Sequence, residues 1–275
     1  MVYDTHIHIM DDNVDPVNFS NKLKKAGIDG GVMLSQPPKC FYHHSYCFSQ
    51  KPSDRLDNLM AWCGQSENLY PFFWIDPLEK NALKQVKAAV KRGVMGFKVI
   101  CDHYYPYDKR ALEVFSAIAE NKKPILFHSG ILWDGKMSSI YNRPIGFEAL
   151  IEISGLKFAL AHISWPWCDE LIAVYGKFQH AYKARPDLSV EMFVDITPGT
   201  PQIYREEALY KLFKVGYDVK DHVLFGTDSF TNTLDVKHVG KMISSDRKIM
   251  KELELPQETI DGVFANNFKR FLGIA

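Results

Sequence analysis

The feature that most constrains this chain is an alternation. Eight short apolar runs, rich in β-branched and aromatic residues, recur along the sequence, each separated from the next by a segment of helical periodicity. They fall at 2–9, 28–35, 69–76, 94–100, 124–128, 156–162, 190–196 and 222–228. Strand and helix in turn call for a parallel sheet with helical crossovers. Eight such units without a Pro/Gly-rich linker predict an α/β fold, a single (β/α)8 TIM barrel, as one domain over residues 1–275. An open doubly wound sheet would carry a glycine-rich phosphate turn after its first strand. Here that turn reads IMDDNVDP and has no glycine.

The crossovers support this reading. In LEKNALKQVKAAVKRG, Leu78, Leu83, Val86 and Val90 recur at three- and four-residue spacing and are expected on the buried side. DKRALEVFSAIAEN repeats the pattern, with Asp108 placed to cap its helix. Two connections, 36–53 and 129–143, exceed the usual length and are expected to form lids or pocket walls.

Composition narrows the function. Lys+Arg and Asp+Glu both total 33, so the net charge is zero and no basic excess points to nucleic acid. No apolar run is long enough for a membrane span, and the N-terminus lacks a leader-like pattern. Five scattered cysteines, an odd number, read as reduced thiols of a cytoplasmic protein. The expected partner is a small-molecule substrate; the sequence leaves a homo-oligomer open.

The first strand raises the chemical question. VYDTHIHI looks buried, yet it carries two histidines where a core prefers valine. Strict alternation would put Val2, Asp4, His6 and His8 on one face. In a barrel the C-terminal strand ends build the active site. At those ends stand His6 and His8, Lys98, His128, His162, Asp195 and Asp228. Imidazole nitrogens with a carboxylate oxygen suit zinc or a similar divalent ion, and two histidines two apart on a strand reach one ion together.

DTHIHI, GFKV, LFHSG, LAHIS and LFGTD, in that order, resemble the amidohydrolase superfamily, most closely its amidohydrolase-related (amidohydrolase 2) branch. The closing ANNFKRFLGI resembles the asparagine-bearing final helix of that branch. The resemblance implies a metal-dependent hydrolase that cleaves an amide, lactone or ester bond of a small molecule with metal-activated water. It implies His6, His8, His128 and Asp228 as metal ligands, with Asp228 also accepting the water's proton. His162 would be a second-site ligand in a two-metal enzyme, or an acid/base and substrate-polarising group in a one-metal enzyme. Lys98 bridges two ions as a carboxylated lysine in some members, whereas in this branch a GFK lysine often occurs unmodified. As a free ammonium it would repel a cation beside it, so it is expected to be carboxylated, turned away or paired with an anion. The histidine that often follows it two residues later is Ile100 here, and one ion, most simply zinc, is favoured over two. Asp102 and His103 lie slightly further on and would do a different job.

Other readings stand beside these. The same branch includes decarboxylases and hydratases of small carboxylic acids, which is the alternative chemistry. A barrel retired to binding would be expected to have lost Asp228 or the histidine pair, and this one keeps both. CFYHHSYC offers Cys40, His43, His44 and Cys47 for a structural zinc, though a packed pocket loop is the simpler expectation. Asp4 reads as a polar group supporting the site or the strand base, and Asp195 as a partner of a ligand or a helix cap. Trp133, Trp165, Tyr104 and Tyr105 are expected near the active end, and Arg143 could grip a substrate carboxylate. His162, sharing a face with Leu156, Phe158 and Leu160 by alternation, is expected to point to the mouth.

Overall fold

In a computed structural model, which describes residues 1–10, 14–38 and 51–274, all eight runs form strands. They are β1 (Tyr3–His8), β2 (Gly30–Leu34), β3 (Leu69–Trp74), β4 (Gly96–Val99), β5 (Ile125–Phe127), β6 (Lys157–Leu160) and β7 (Glu191–Asp195). The eighth comes in two pieces, β8 (Val223–Leu224) and β9 (Ser229–Phe230). The strands run in the order β8-β7-β6-β5-β4-β3-β2-β1-β9, every pair parallel. Its two ends are halves of one interrupted strand, so the sheet closes on itself as a (β/α)8 barrel.

The crossover helices are α1 (Pro16–Lys25), α2 (Pro52–Cys63), α3 (Ala82–Lys91), α4 (Lys109–Glu120), α5 (Cys168–Ala184), α6 (Gln202–Lys214) and α7 (Val236–Glu252). Two short helices, α8 (Gln257–Asp261) and α9 (Asn267–Leu272), end the chain. Between β5 and β6 the described chain makes tight turns over Ser139–Asn142 and Pro144–Glu152 instead of an α-helix. Asp108 caps α4 as expected, accepting from the Arg110 amide. The stripe expected on α3 is corrected in part. Ala82, Gln85, Val86 and Ala89 are buried, while Leu83 is 44% exposed. Small alanines let this helix lie close to its neighbours, which turns the larger Leu83 outward.

Apolar residues form two main layers. Ile7, Met33, Phe73, Phe97, Phe127, Phe158 and Leu160 face the helices, whereas Val32, Leu34, Phe72, Leu126, Ala159 and Phe193 fill the barrel. Gly96 sits inside because any Cβ would strike the Phe72 ring at about 2.4 Å. Phe268 and Phe271 of α9 plug the strand N-terminal end, with Phe268 stacked on Tyr3 at 4.8 Å. Asn267 fastens this plug by donating to the carbonyls of Lys220 and Val223.

Two expectations about faces are corrected. Tyr3 points into the barrel and Val2 toward the helices, the reverse of strict alternation with His6 and His8. The cause is an extra residue in β1. Asp4 pairs with Gly31 and Ile7 with Met33, so three steps on one strand match two on the other. Leu156, Phe158 and Leu160 also face the helices, so alternation would have turned His162 outward. Instead β6 stops at Leu160, and His162, Ile163 and Ser164 adopt left-handed φ values of 63°, 44° and 52°. That turn swings the imidazole back over the barrel.

Candidate metal centre

The strand ends bring His6, His8 and Asp228 together, with one donor atom of each within 4.8 Å of the others. Asp228 Oδ1 lies 3.2 Å from His8 Nε2 and 3.6 Å from His6 Nε2. The local sequence explains the convergence. The Asp4 carboxylate accepts from the His6 amide, which shapes the bulge, and from both the amide and the hydroxyl of Thr227. One buried side chain therefore fixes β1 and the residue before Asp228 in a single register. Burial pushes Asp4 up to about 7, against the hydrogen bonds from Thr227 and His6 that favour its charged form. Gly226 has to be a glycine, since a Cβ there would meet the hydroxyls of Thr197 and Thr5. Asp228 itself takes a left-handed φ of 56°, which aspartate tolerates better than most residues.

The imidazoles of His6 and His162 each have a partner that defines where the proton sits. His6 Nδ1 lies 3.3 Å from Asp195 Oδ2 and donates to it, leaving the lone pair on Nε2, beside Asp228. Asp195 thus supports a candidate ligand, while its other oxygen accepts from the amide and hydroxyl of Thr197; it does not cap the next helix, whose N-cap position is Pro201. His162 Nδ1 donates to the Pro198 carbonyl at 2.9 Å, which leaves Nε2 as its acceptor. Gly199 packs under that ring, and a Cβ there would sit 2.8 Å from His162 Cβ.

His128 does not join the three-residue cluster. Its Nε2 lies 3.2 Å from the Ile131 carbonyl, and a carbonyl only accepts, so the lone pair is on Nδ1. Its ring lies 4.8 Å from that of His162, which lies 5.1 Å from that of His6. Lys98 is fully buried, with Nζ 3.2 Å from His6 Nε2.

The buried groups at the mouth shift one another's protonation. Burial, and then the Lys98 ammonium, holds His6 well below the ordinary imidazole range, and burial lowers His8 and His162 as well. Burial, with His162 next, holds His128 well below that range. Lys98 is drawn down to about 8 by burial, against the pull of Asp228 and Asp195. The dense surroundings of Asp228 would raise its pKa, but the imidazoles of His6, His8 and His162 outweigh them and hold it well below the carboxylate range. About a third of its side chain (34%) opens to the cleft. Imidazole nitrogens converging beside a carboxylate oxygen form a donor set of the kind that fits a divalent ion.

The cleft beside this cluster, about 70 Å³, is lined by Ile131, Trp133, Trp165, Pro198 and Gly199 together with His128, His162 and Asp228. The 129–143 connection thus does form a pocket wall. Arg143 is not in that lining: its Nε donates to Glu170 at 2.8 Å and its guanidinium covers the Trp167 ring. Tyr104 is buried in the core, and Tyr105 stacks on Tyr107. His103 pairs with Asp102 at 2.6 Å, apart from the cluster. Cys40, His43, His44, Cys47 and most of the 36–53 connection lie outside the described residues. Cys63, Cys101 and Cys168 are free and buried. No helix among the described residues is long and apolar enough to cross a membrane.

Comparison with known proteins identifies the lineage. The family profile described as Amidohydrolase matches residues 3–274. The chain belongs to the amidohydrolase family. Its members are typically metal-dependent, and membership supports an enzyme of general hydrolase type acting on small molecules. Among solved structures, a probable 2-pyrone-4,6-dicarboxylic acid hydrolase from Acinetobacter baumannii, with citric acid bound, superposes with a TM-score of 0.64 at 11% identity, over 99% of each chain. A dihydroorotase from Campylobacter jejuni gives 0.60 at 13%, over 100% of this chain and 83% of its own. An amidohydrolase 2 protein from Bifidobacterium longum subsp. infantis gives 0.56 at 12%, over 100% and 99%. At such identities these three show the shared fold. A comparison with curated proteins gave no match.

Proposed function

We propose that this family member is a metal-dependent hydrolase that cleaves an amide, lactone or ester bond of a small molecule with metal-activated water. The observation that carries the reading is the His6, His8 and Asp228 cluster: two imidazole nitrogens and a carboxylate oxygen brought together at the barrel mouth. These three would hold one ion, with His128 as a further donor through Nδ1. Zinc suits nitrogen and oxygen donors of this kind, and a bound zinc supplies Lewis-acid polarisation and a water ionisable near neutral pH.

The protein's own groups account for the rest. Asp195 fixes the His6 tautomer, so that Nε2 faces the centre. Asp228, ionised and partly open to the cleft, accepts a proton from the attacking water and returns it to the leaving group. His162, oriented by Pro198, presents Nε2 as an acceptor while neutral. Once protonated, it donates to the oxyanion that develops on the substrate. No feature of the site favours the decarboxylase or hydratase alternative over this one.

Metal analysis with a substrate panel tests the reading. The purified protein should carry about one zinc-like ion per chain, lose turnover of lactones, esters or amides on chelation, and regain it with added zinc. Hydrolysis that survives complete metal removal would overturn the reading.

A further inference from the structure

The cleft wall carries information about what the centre acts on. Residues 131–133 run extended past the mouth with alternating directions: Ile131 and Trp133 line the cleft, while Leu132 packs toward Met10, Trp74 and Ile100. Trp133 is 75% exposed and stands at the rim of the candidate active site. Its position is built. The Ile131 amide donates to the Trp165 carbonyl at 3.0 Å, the Leu132 amide to Ser139 Oγ at 3.0 Å, and Asp134 accepts from the Lys136 amide and the Ser138 hydroxyl. Gly130 allows the close approach to Trp165, because a Cβ there would meet the Trp165 carbonyl oxygen at 2.5 Å. The second wall is Trp165, half-buried against Tyr204, and the Pro198–Gly199 backbone completes the surface.

The surface is therefore largely apolar and aromatic, and it adjoins the Asp228 side chain. Among the described lining residues there is no guanidinium or ammonium to receive an anion, and Arg143 is engaged with Glu170 away from the cleft. From this we infer that Trp133 and Trp165 form an aromatic subsite taking a flat, uncharged unsaturated or aromatic group beside the scissile carbonyl, no larger than one ring. The inference rests on the hydrolase reading and gives it a substrate class. Aromatic faces favour offset or edge contact with such a group, and a wall already held by hydrogen bonds loses little freedom when it binds.

Binding of hydroxamates to the zinc-supplied protein, followed by calorimetry and by tryptophan fluorescence, tests it. Benzohydroxamate should bind at least tenfold more tightly than acetohydroxamate, and 4-carboxybenzohydroxamate at least tenfold more weakly than benzohydroxamate. Trp133→Ala, a change at an exposed position, should bring benzohydroxamate to within about threefold of acetohydroxamate, and Trp133→Phe should keep most of the preference. Equal binding of the two simple hydroxamates by the wild type would overturn the subsite and leave the metal centre standing. So would a preference that survives Trp133→Ala, or tighter binding of the carboxylated ring. Failure of acetohydroxamate itself to bind would instead overturn the metal-centre reading, and the subsite with it.

Discussion

Each end of this barrel sets a carboxylate among several basic groups, and the surroundings of the two differ. At the strand N-terminal end, Glu191 accepts from Arg270 at 2.9 Å and His222 at 3.0 Å, with Lys157 at 3.7 Å. Burial alone would raise its pKa, but those hydrogen bonds and charges hold it at about 2. At the mouth, the buried imidazoles of His6, His8 and His162 hold Asp228 well below the carboxylate range, and Lys98 Nζ lies 3.2 Å from His6 Nε2. The plugged end is a finished ion-pair network. The mouth is a cluster of imidazole and carboxylate donors of the kind that could hold a metal ion. A cluster of titratable groups is thus no sign of function by itself; what distinguishes the mouth is that its donor atoms converge beside a cleft.

Four substitutions would break or sharpen that contrast. The largest effect is expected from Asp228→Asn, which removes a proposed ligand and the proton acceptor together. Turnover should fall by about a thousandfold or more, with metal content falling too; unchanged metal content would exclude Asp228 from the ligand set. His162→Asn should leave metal near wild type in a one-ion enzyme and reduce turnover by about a hundredfold. Loss of about one metal equivalent would show that two ions are held.

Asp195→Asn weakens the charged acceptor behind His6. Metal affinity, measured by competition with a chelator, should drop by about 10–100-fold without gross unfolding. The smallest effect on turnover belongs to the plugged end. Glu191→Gln should leave turnover within about twofold and lower stability by about 1–2 kcal/mol at neutral pH. Because the folded-state pKa of Glu191, about 2, lies below its ordinary 4.5, its contribution is full above about pH 4.5. That contribution is lost as pH falls through about 2, so denaturation of wild type and variant should converge in acid. A gap that widens in acid would contradict this account.

Much of this was legible along the chain, and the reason is periodicity. Eight runs spaced by helical segments specified the barrel, since parallel strands require crossovers and strand ends gather at one face. The same logic placed His6, His8 and Asp228 at that face. What periodicity could not supply was each side chain's direction where the backbone departs from it. The bulge in β1 reversed the faces of Val2 and Tyr3, and a left-handed turn after β6 brought His162 inward against the alternation. Hydrogen-bond partners distant in sequence were equally out of reach: Asp195 behind His6, and Asp4 joined to Thr227 across 223 residues. Arg143 shows the converse, a plausible anion grip until Glu170 is found beside it. Sequence determined which residues crowd the mouth, because where each strand-forming run ends is a local property. Tertiary structure decided which nitrogen faces which oxygen and what remains uncompensated, because those depend on contacts between strands that the chain closes only on folding.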